Sequence, residues 1–141
     1  MRKKLVLLFM GLAMVMLLAS HALAEVKDFK DFTVDVPTGW TAVDQDGTVA
    51  ITADDKSAAI TISWGPNDGK SVEEMAAAYS KELNGSAPVA DSGGFVFTFT
   101  AAGAEVESKA FVAGEEDKHA LIVMTGENPQ MGEILGSLQD K

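Results

Sequence analysis

The chain has 141 residues, of which 47% are hydrophobic, 23% are charged and none is cysteine. One globular domain fits this length and apolar fraction, and wholesale disorder does not. The missing cysteine excludes a disulfide framework, a thiolate metal site, a catalytic cysteine and a bacterial lipoprotein anchor.

Met1-Arg2-Lys3-Lys4 is a cationic start, and Leu5 to Leu18 is an apolar run of 14 residues with one glycine. Ala22-Leu23-Ala24 then has the small-x-small form accepted by signal peptidase. The run is short of the ~20 residues that a membrane-spanning helix needs. The expectation is a secretory signal peptide over 1–24, cleaved after Ala24, and a single mature domain over 25–141 in the periplasm. Cleavage removes Arg2, Lys3 and Lys4 but no acid, which leaves eight basic and 21 acidic residues and a formal charge of −13. A field of that sign disfavours nucleic acid and anionic lipid head groups, because like charges repel. His119 is the only histidine of the mature chain, so a multi-histidine metal site is excluded.

Phe32 to Val36 alternates apolar and polar residues and predicts a half-buried strand. Pro37-Thr38-Gly39 ends it, and Trp40 re-enters as an expected core residue. Asp46-Gly47 is a turn dipeptide, followed by strands over Thr48 to Thr52 and Ala58 to Trp64. Their short connections predict an antiparallel meander of these three strands. Ser71-Val72-Glu73-Glu74 is a capping box, and Val72, Met75, Ala76, Tyr79 and Leu83 follow at helical spacing. Asn84-Gly85 supplies the left-handed stop.

Gly85 to Gly94 reads as a loop of small residues. Phe95 to Thr100 is an aromatic strand, Glu105 to Ala113 a fifth strand, and Glu115-Glu116-Asp117 an exposed turn. His119 to Thr125 is apolar on both faces and is placed at the centre of the sheet. Asn128 is expected to cap a short terminal helix with Pro129 at its first position, burying Met131, Ile134, Leu135 and Leu138. The order is βββ-α-βββ-α. It predicts an α+β fold, a six-stranded antiparallel sheet with the helices packed on it as an α/β/α sandwich.

No nucleophile elbow, phosphate loop or dinucleotide fingerprint is present. A Ser–His–Asp arrangement would need His119, which is expected at the mouth of an acidic turn with water on both sides. Asp54-Asp55 and Glu115-Glu116 lie in predicted turns, where carboxylates stay solvated and do not take up acid–base roles. Asp44-x-Asp46 opens like a calcium loop, but Thr48, Gly47 and Asp55 fail the later positions. Phe95, Phe97 and Phe99 could imitate a base-stacking platform, and the negative charge favours core packing instead. No catalytic, cofactor-binding or metal-ligating residue is assigned.

Phe32-x-Val34-x-Val36-Pro37-x-Gly39-Trp40, then Gly69-x-Ser71-x-Glu73-Glu74-Met75-Ala76-x-x-Tyr79, then Gly93-Gly94-Phe95-x-Phe97-x-Phe99 resembles the PsbP-like and DcrB-like families. The similarity runs from about Phe29 to Leu138 and rests on structural motifs. It implies an antiparallel sheet between helices and a non-enzymatic role as an extrinsic subunit, assembly factor or envelope protein. DcrB-like proteins often carry a lipobox cysteine, and its absence here implies a free periplasmic protein. The expected function is a secreted, non-catalytic interaction or assembly module whose partner is another envelope protein. The alternative is a periplasmic protein that binds a small ligand or a cation such as calcium.

Overall fold

Pro37-Thr38-Gly39 is the point at which the chain leaves one sheet and enters another. Proline cannot donate to a ladder, and Gly39 adopts a φ of +94°, which side chains rarely tolerate. The computed structural model describes residues 24–101, 103–114 and 117–140. Residues 1–23 of the expected signal peptide (1–24), and Glu115 and Glu116 of the expected acidic turn, lie outside the described residues.

Before that turn, β1 (Ala24–Asp28) pairs antiparallel with β2 (Phe32–Pro37). After it come β3 (Trp40–Gln45), β4 (Thr48–Ala53) and β5 (Ala58–Pro66), which form an antiparallel meander. Helix α1 (Val72–Glu82) follows, then β6 (Val89–Asp91), β7 (Gly94–Thr100), β8 (Glu107–Gly114) and β9 (Lys118–Gly126). Helix α2 (Met131–Gly136) and β10 (Gln139–Asp140) end the described chain.

The strands form two sheets, where a single sheet of six was expected. One has seven strands in the order β3-β4-β5-β9-β8-β7-β6, and the other has three in the order β1-β2-β10. The strand over Phe32 to Val36 therefore does not belong to the meander: β3, entered at Trp40, takes that place. The loop after Gly85 contains β6, which closes on β7 through a hairpin with positive φ at Ser92 and Gly93. β9, apolar on both faces, is the middle strand of seven, as its composition implied.

Register assigns every side chain to a face. Val49, Ile62, Ile122, Phe111, Val96 and Val89 are paired in turn across six strands and share one face. Phe32, Val34 and Val36 of β2 and Ile134 and Leu138 join Trp40, Ile51, Ile60 and Ile62 there in the larger core. Burial of each such side chain contributes about 1.5–3 kcal/mol. Trp40 is buried, and its Nε1 donates to Gln130 Oε1 at 2.9 Å.

On the opposite face Ala76 of α1 packs with Phe97, Phe99, Ala110 and Val112. The capping box of α1 is formed in both directions: the Glu74 amide donates to Ser71 Oγ at 3.1 Å, and the Ser71 amide donates to Glu74 Oε1 at 3.1 Å. Asn84 (φ 56°) ends the helix, and the Gly85 amide donates to Ser80 O at 2.8 Å. At α2 the expected start shifts by two residues, from Pro129 to Met131. Asn128 Oδ1 accepts from the Gln130 amide at 2.9 Å, and the helix begins at Met131 with no side-chain cap at Gln130.

Candidate functional site

His119 is the second residue of β9 and is only 2% exposed, not at a solvated turn mouth. The period of two puts it on the α1 face with Leu121 and Val123. Its neighbours across the ladder are Gly65 and Gly114. Neither carries a side chain, and this makes room for the ring: a Cβ at Gly65 would lie 3.5 Å from His119 Cε1, and one at Gly114 only 2.6 Å from His119 Cα.

Two side chains complete the enclosure. His119 Nδ1 is 2.9 Å from Asn67 Oδ1, and Nε2 is 2.7 Å from the Tyr79 hydroxyl. A carboxamide oxygen only accepts, so Nδ1 carries the proton and Nε2 accepts from the Tyr79 O–H. Burial holds the imidazole pKa below its ordinary value, with Asp68 pulling the other way. Burial first, and Glu82 second, raise the Tyr79 phenol. Both groups are therefore neutral near pH 7, and the tyrosine is a hydrogen-bond donor, not a nucleophile.

Asn67 is fully buried, receives Lys70 N at its carbonyl and donates its own amide to Asp117 O, both at 3.0 Å. The cluster thus joins the β5–α1 loop, α1 and β9. Sequence reasoning placed Tyr79 only in the helix stripe and Asn67 only in a turn that fails as a calcium loop, and connected neither with His119. The available signal was the alternation of His119 with Leu121 and Val123, which puts the ring on a covered face.

Asp54-Asp55 stands in a turn, as expected. Thr41 Oγ1 donates to Asp54 Oδ1 at 2.8 Å, the Ser57 amide to Asp55 Oδ1 at 2.9 Å, and the Gly47 amide to Asp44 Oδ1 at 3.1 Å. Hydrogen bonding by Ser57 holds the exposed Asp55 carboxyl below its ordinary pKa. These acids order the backbone that carries them. Asp35 differs: its carboxyl is raised, first by burial and then by the charge of Glu133. Among the described residues no three His, Asp or Glu side chains gather as a metal site.

Each face of the seven-stranded sheet is left open over one half. Thr41, Val43, Thr48, Ala50, Thr52, Ala59, Thr61 and Ser63 of β3, β4 and β5 line up by register on the α1 side, beyond the reach of α1. No charged residue belongs to this group, in a chain with 21 acids. Val43 is 45% exposed at its edge. On the other face, over β7, β8 and β9, a hollow of about 220 Å³ lies between α2 and the β6–β7 hairpin. Its walls are Val96, Phe111, Ile122, Met124 and Leu135, with Asp91, Ser92 and Lys109 around them. Neither surface was foreseen, because each depends on which half of each face the helices and the second sheet cover.

No protein-family model matches the chain, and no curated protein matches it. Among solved structures it is similar to a Bacteroides thetaiotaomicron VPI-5482 protein, with a TM-score of 0.50 and 16% sequence identity. The match covers 78% of this chain and 45% of that one, so the chain spans less than half of the structure it resembles. At this identity the likeness concerns the fold alone.

Proposed function

We propose that the chain is a secreted, non-catalytic interaction or assembly module of the cell envelope, with another envelope protein as partner. The observation that supports this best is the uncharged open face of β3, β4 and β5. Interface centres are depleted of charge relative to the surrounding surface, and a face of threonine, serine, alanine and valine on a strongly acidic protein has that character. His119 supports the same reading, because both its nitrogens are engaged in a buried structural cluster.

In this reading residues 1–24 direct export, and cleavage after Ala24 leaves Glu25 to Asp28 paired with Thr33 to Val36. No described helix is long and apolar enough to cross a membrane. The packing of α1 on one face of the large sheet supports part of the α/β/α sandwich implied by the PsbP-like and DcrB-like resemblance, while the other face carries the small sheet with the short α2. The same sequence motifs support membership of that group.

A photo-crosslinking residue placed at Val43 or Thr61 in living cells tests the proposal. Discrete crosslinked species of higher mass are expected at both positions and not at exposed Val106, on another part of the surface. Crosslinking that is absent at all three positions, or equal at all three, would count against it.

A further inference from the structure

We infer that the hollow between α2 and the β6–β7 hairpin binds a free small apolar carboxylate, an acid whose hydrophobic part is about the size of one aromatic ring. Size is the first argument. An apolar cavity of roughly 150 Å³ accepts benzene. The 220 Å³ here admits a ring with a short tether and is smaller than the roughly 300–1,000 Å³ of sites for drug-sized ligands. The walls are aliphatic and aromatic, and the Met124 thioether can adjust to an irregular shape.

Charge is the second argument. Lys109 and Lys118 are the only basic residues in the seven strands. Lys118 stands at the start of β9 with its Nζ 4.9 Å from the Trp64 ring centroid. Lys109 is the one placed mid-strand, in register with Thr98 and Met124 on the face of the hollow. An ammonium beside an apolar floor recognises an anion with a hydrophobic body. Asp91 also lines the hollow and accepts from Ser92 Oγ at 3.0 Å. Its negative charge disfavours a carboxylate on its side and so directs the acid group to Lys109.

The hollow is also held open in advance. The Phe111 ring rests on Gly94, where a Cβ would lie 2.8 Å from Cζ and 3.0 Å from Cε1. A wall fixed by such close packing needs little ordering when a ligand arrives. This site goes beyond the interaction reading and does not rest on it, because it lies on the opposite face from Val43 and Thr61.

The test uses protein purified after expression of the full chain. 3-Phenylpropionate is titrated into the isotopically labelled protein and followed by amide NMR and calorimetry. Saturable shifts are expected around Val96, Phe111, Ile122, Met124 and Leu135. 2-Phenylethylamine, of similar size and opposite charge, should bind about ten-fold more weakly. Lys109→Met and Lys109→Gln, both checked for folding by circular dichroism, should weaken 3-phenylpropionate by about ten-fold, as loss of a charged hydrogen bond does. Making both variants guards against a folding defect peculiar to one. The inference is overturned by no saturable shift up to about 10 mM acid, well below the affinity of useful recognition. Equal binding of the amine, or unchanged affinity in both Lys109 variants, overturns it as well. None of these results bears on crosslinking at Val43 and Thr61, so the two proposals fail separately.

Discussion

The Tyr79 hydroxyl donates to His119 Nε2 across 2.7 Å and joins helix α1 to the middle strand of the large sheet. With Asn67 on the other nitrogen, His119, the only histidine among the described residues, becomes a structural link in place of a surface residue. At the solvated turn mouth that the sequence implies for His119, His119→Ala would leave stability almost unchanged. The structure reverses this: the substitution opens a cavity and takes the ring away from the buried Asn67 and the half-buried Tyr79. The expected loss is about 2–4 kcal/mol, measured by urea denaturation at pH 7. A loss within the roughly 0.5 kcal/mol of a surface substitution would show that the cluster does not form.

The same cluster makes stability depend on pH. Burial lowers the pKa of His119 in the folded state below its ordinary 6.5. Below pH 6.5 the unfolded chain therefore binds more protons than the folded one, and stability rises with pH in that window. The contribution is complete above about pH 6.5 and is lost as the pH falls from there through the folded-state value. Denaturation midpoints measured between pH 7 and 5 should fall for the wild type more steeply than for His119→Gln, which has no titrating ring. Parallel curves for the two proteins would remove the basis of this expectation.

Asp35 carries the opposite sign. Its carboxyl is raised above 3.8 by burial and by Glu133, so ionisation is less favourable in the folded state than in the unfolded one. The resulting penalty is present at neutral pH and absent below about pH 3.8. Asp35→Asn should raise the thermal midpoint at pH 7, and the gain should vanish in acid. A decrease at pH 7 would show that the carboxylate makes a stabilising contact.

Trp40→Ala should cost about 3–5 kcal/mol, because the indole is 7% exposed and packs into the larger core. Trp40→Phe keeps an aromatic ring in place but loses the hydrogen bond to Gln130, at a cost of about 1 kcal/mol for that bond. Chemical denaturation of the two variants separates packing from hydrogen bonding.

Gly94→Ala tests the close approach beneath the hollow. The added Cβ would meet Val112 O at 2.5 Å and the Phe111 ring at 2.8 Å. A backbone carbonyl within a strand pair cannot rotate away, so the β7–β8 ladder must shift. A loss of about 1–3 kcal/mol, typical of overpacking, is expected in a thermal or urea melt. Gly93→Ala, with open space around its Cβ but a φ of +84°, separates backbone strain from collision.

Local chemistry was enough to make several elements legible in the sequence. The Ser71–Glu74 capping box and the stop at Asn84-Gly85 located α1, since caps act within one turn. The alternation in Phe95 to Thr100 and the two-faced apolarity of His119 to Thr125 located β7 and the middle strand, and Trp40 was placed in the core. What lay beyond local chemistry was pairing between distant segments. Whether Phe32 to Val36 joins β4 or forms its own sheet with β1 and β10 is settled by contacts of a hundred residues' separation, such as the Asp35 amide donating to Ser137 Oγ at 2.8 Å. His119 was misplaced for the same reason. A strand terminus is solvated only if nothing packs over it, and here the two glycines beside it and the helix above it close the site. The hollow near Lys109 and the uncharged face of β3, β4 and β5 belong to no sequence pattern. They are what the helices and the small sheet leave uncovered, so only the tertiary structure could decide them.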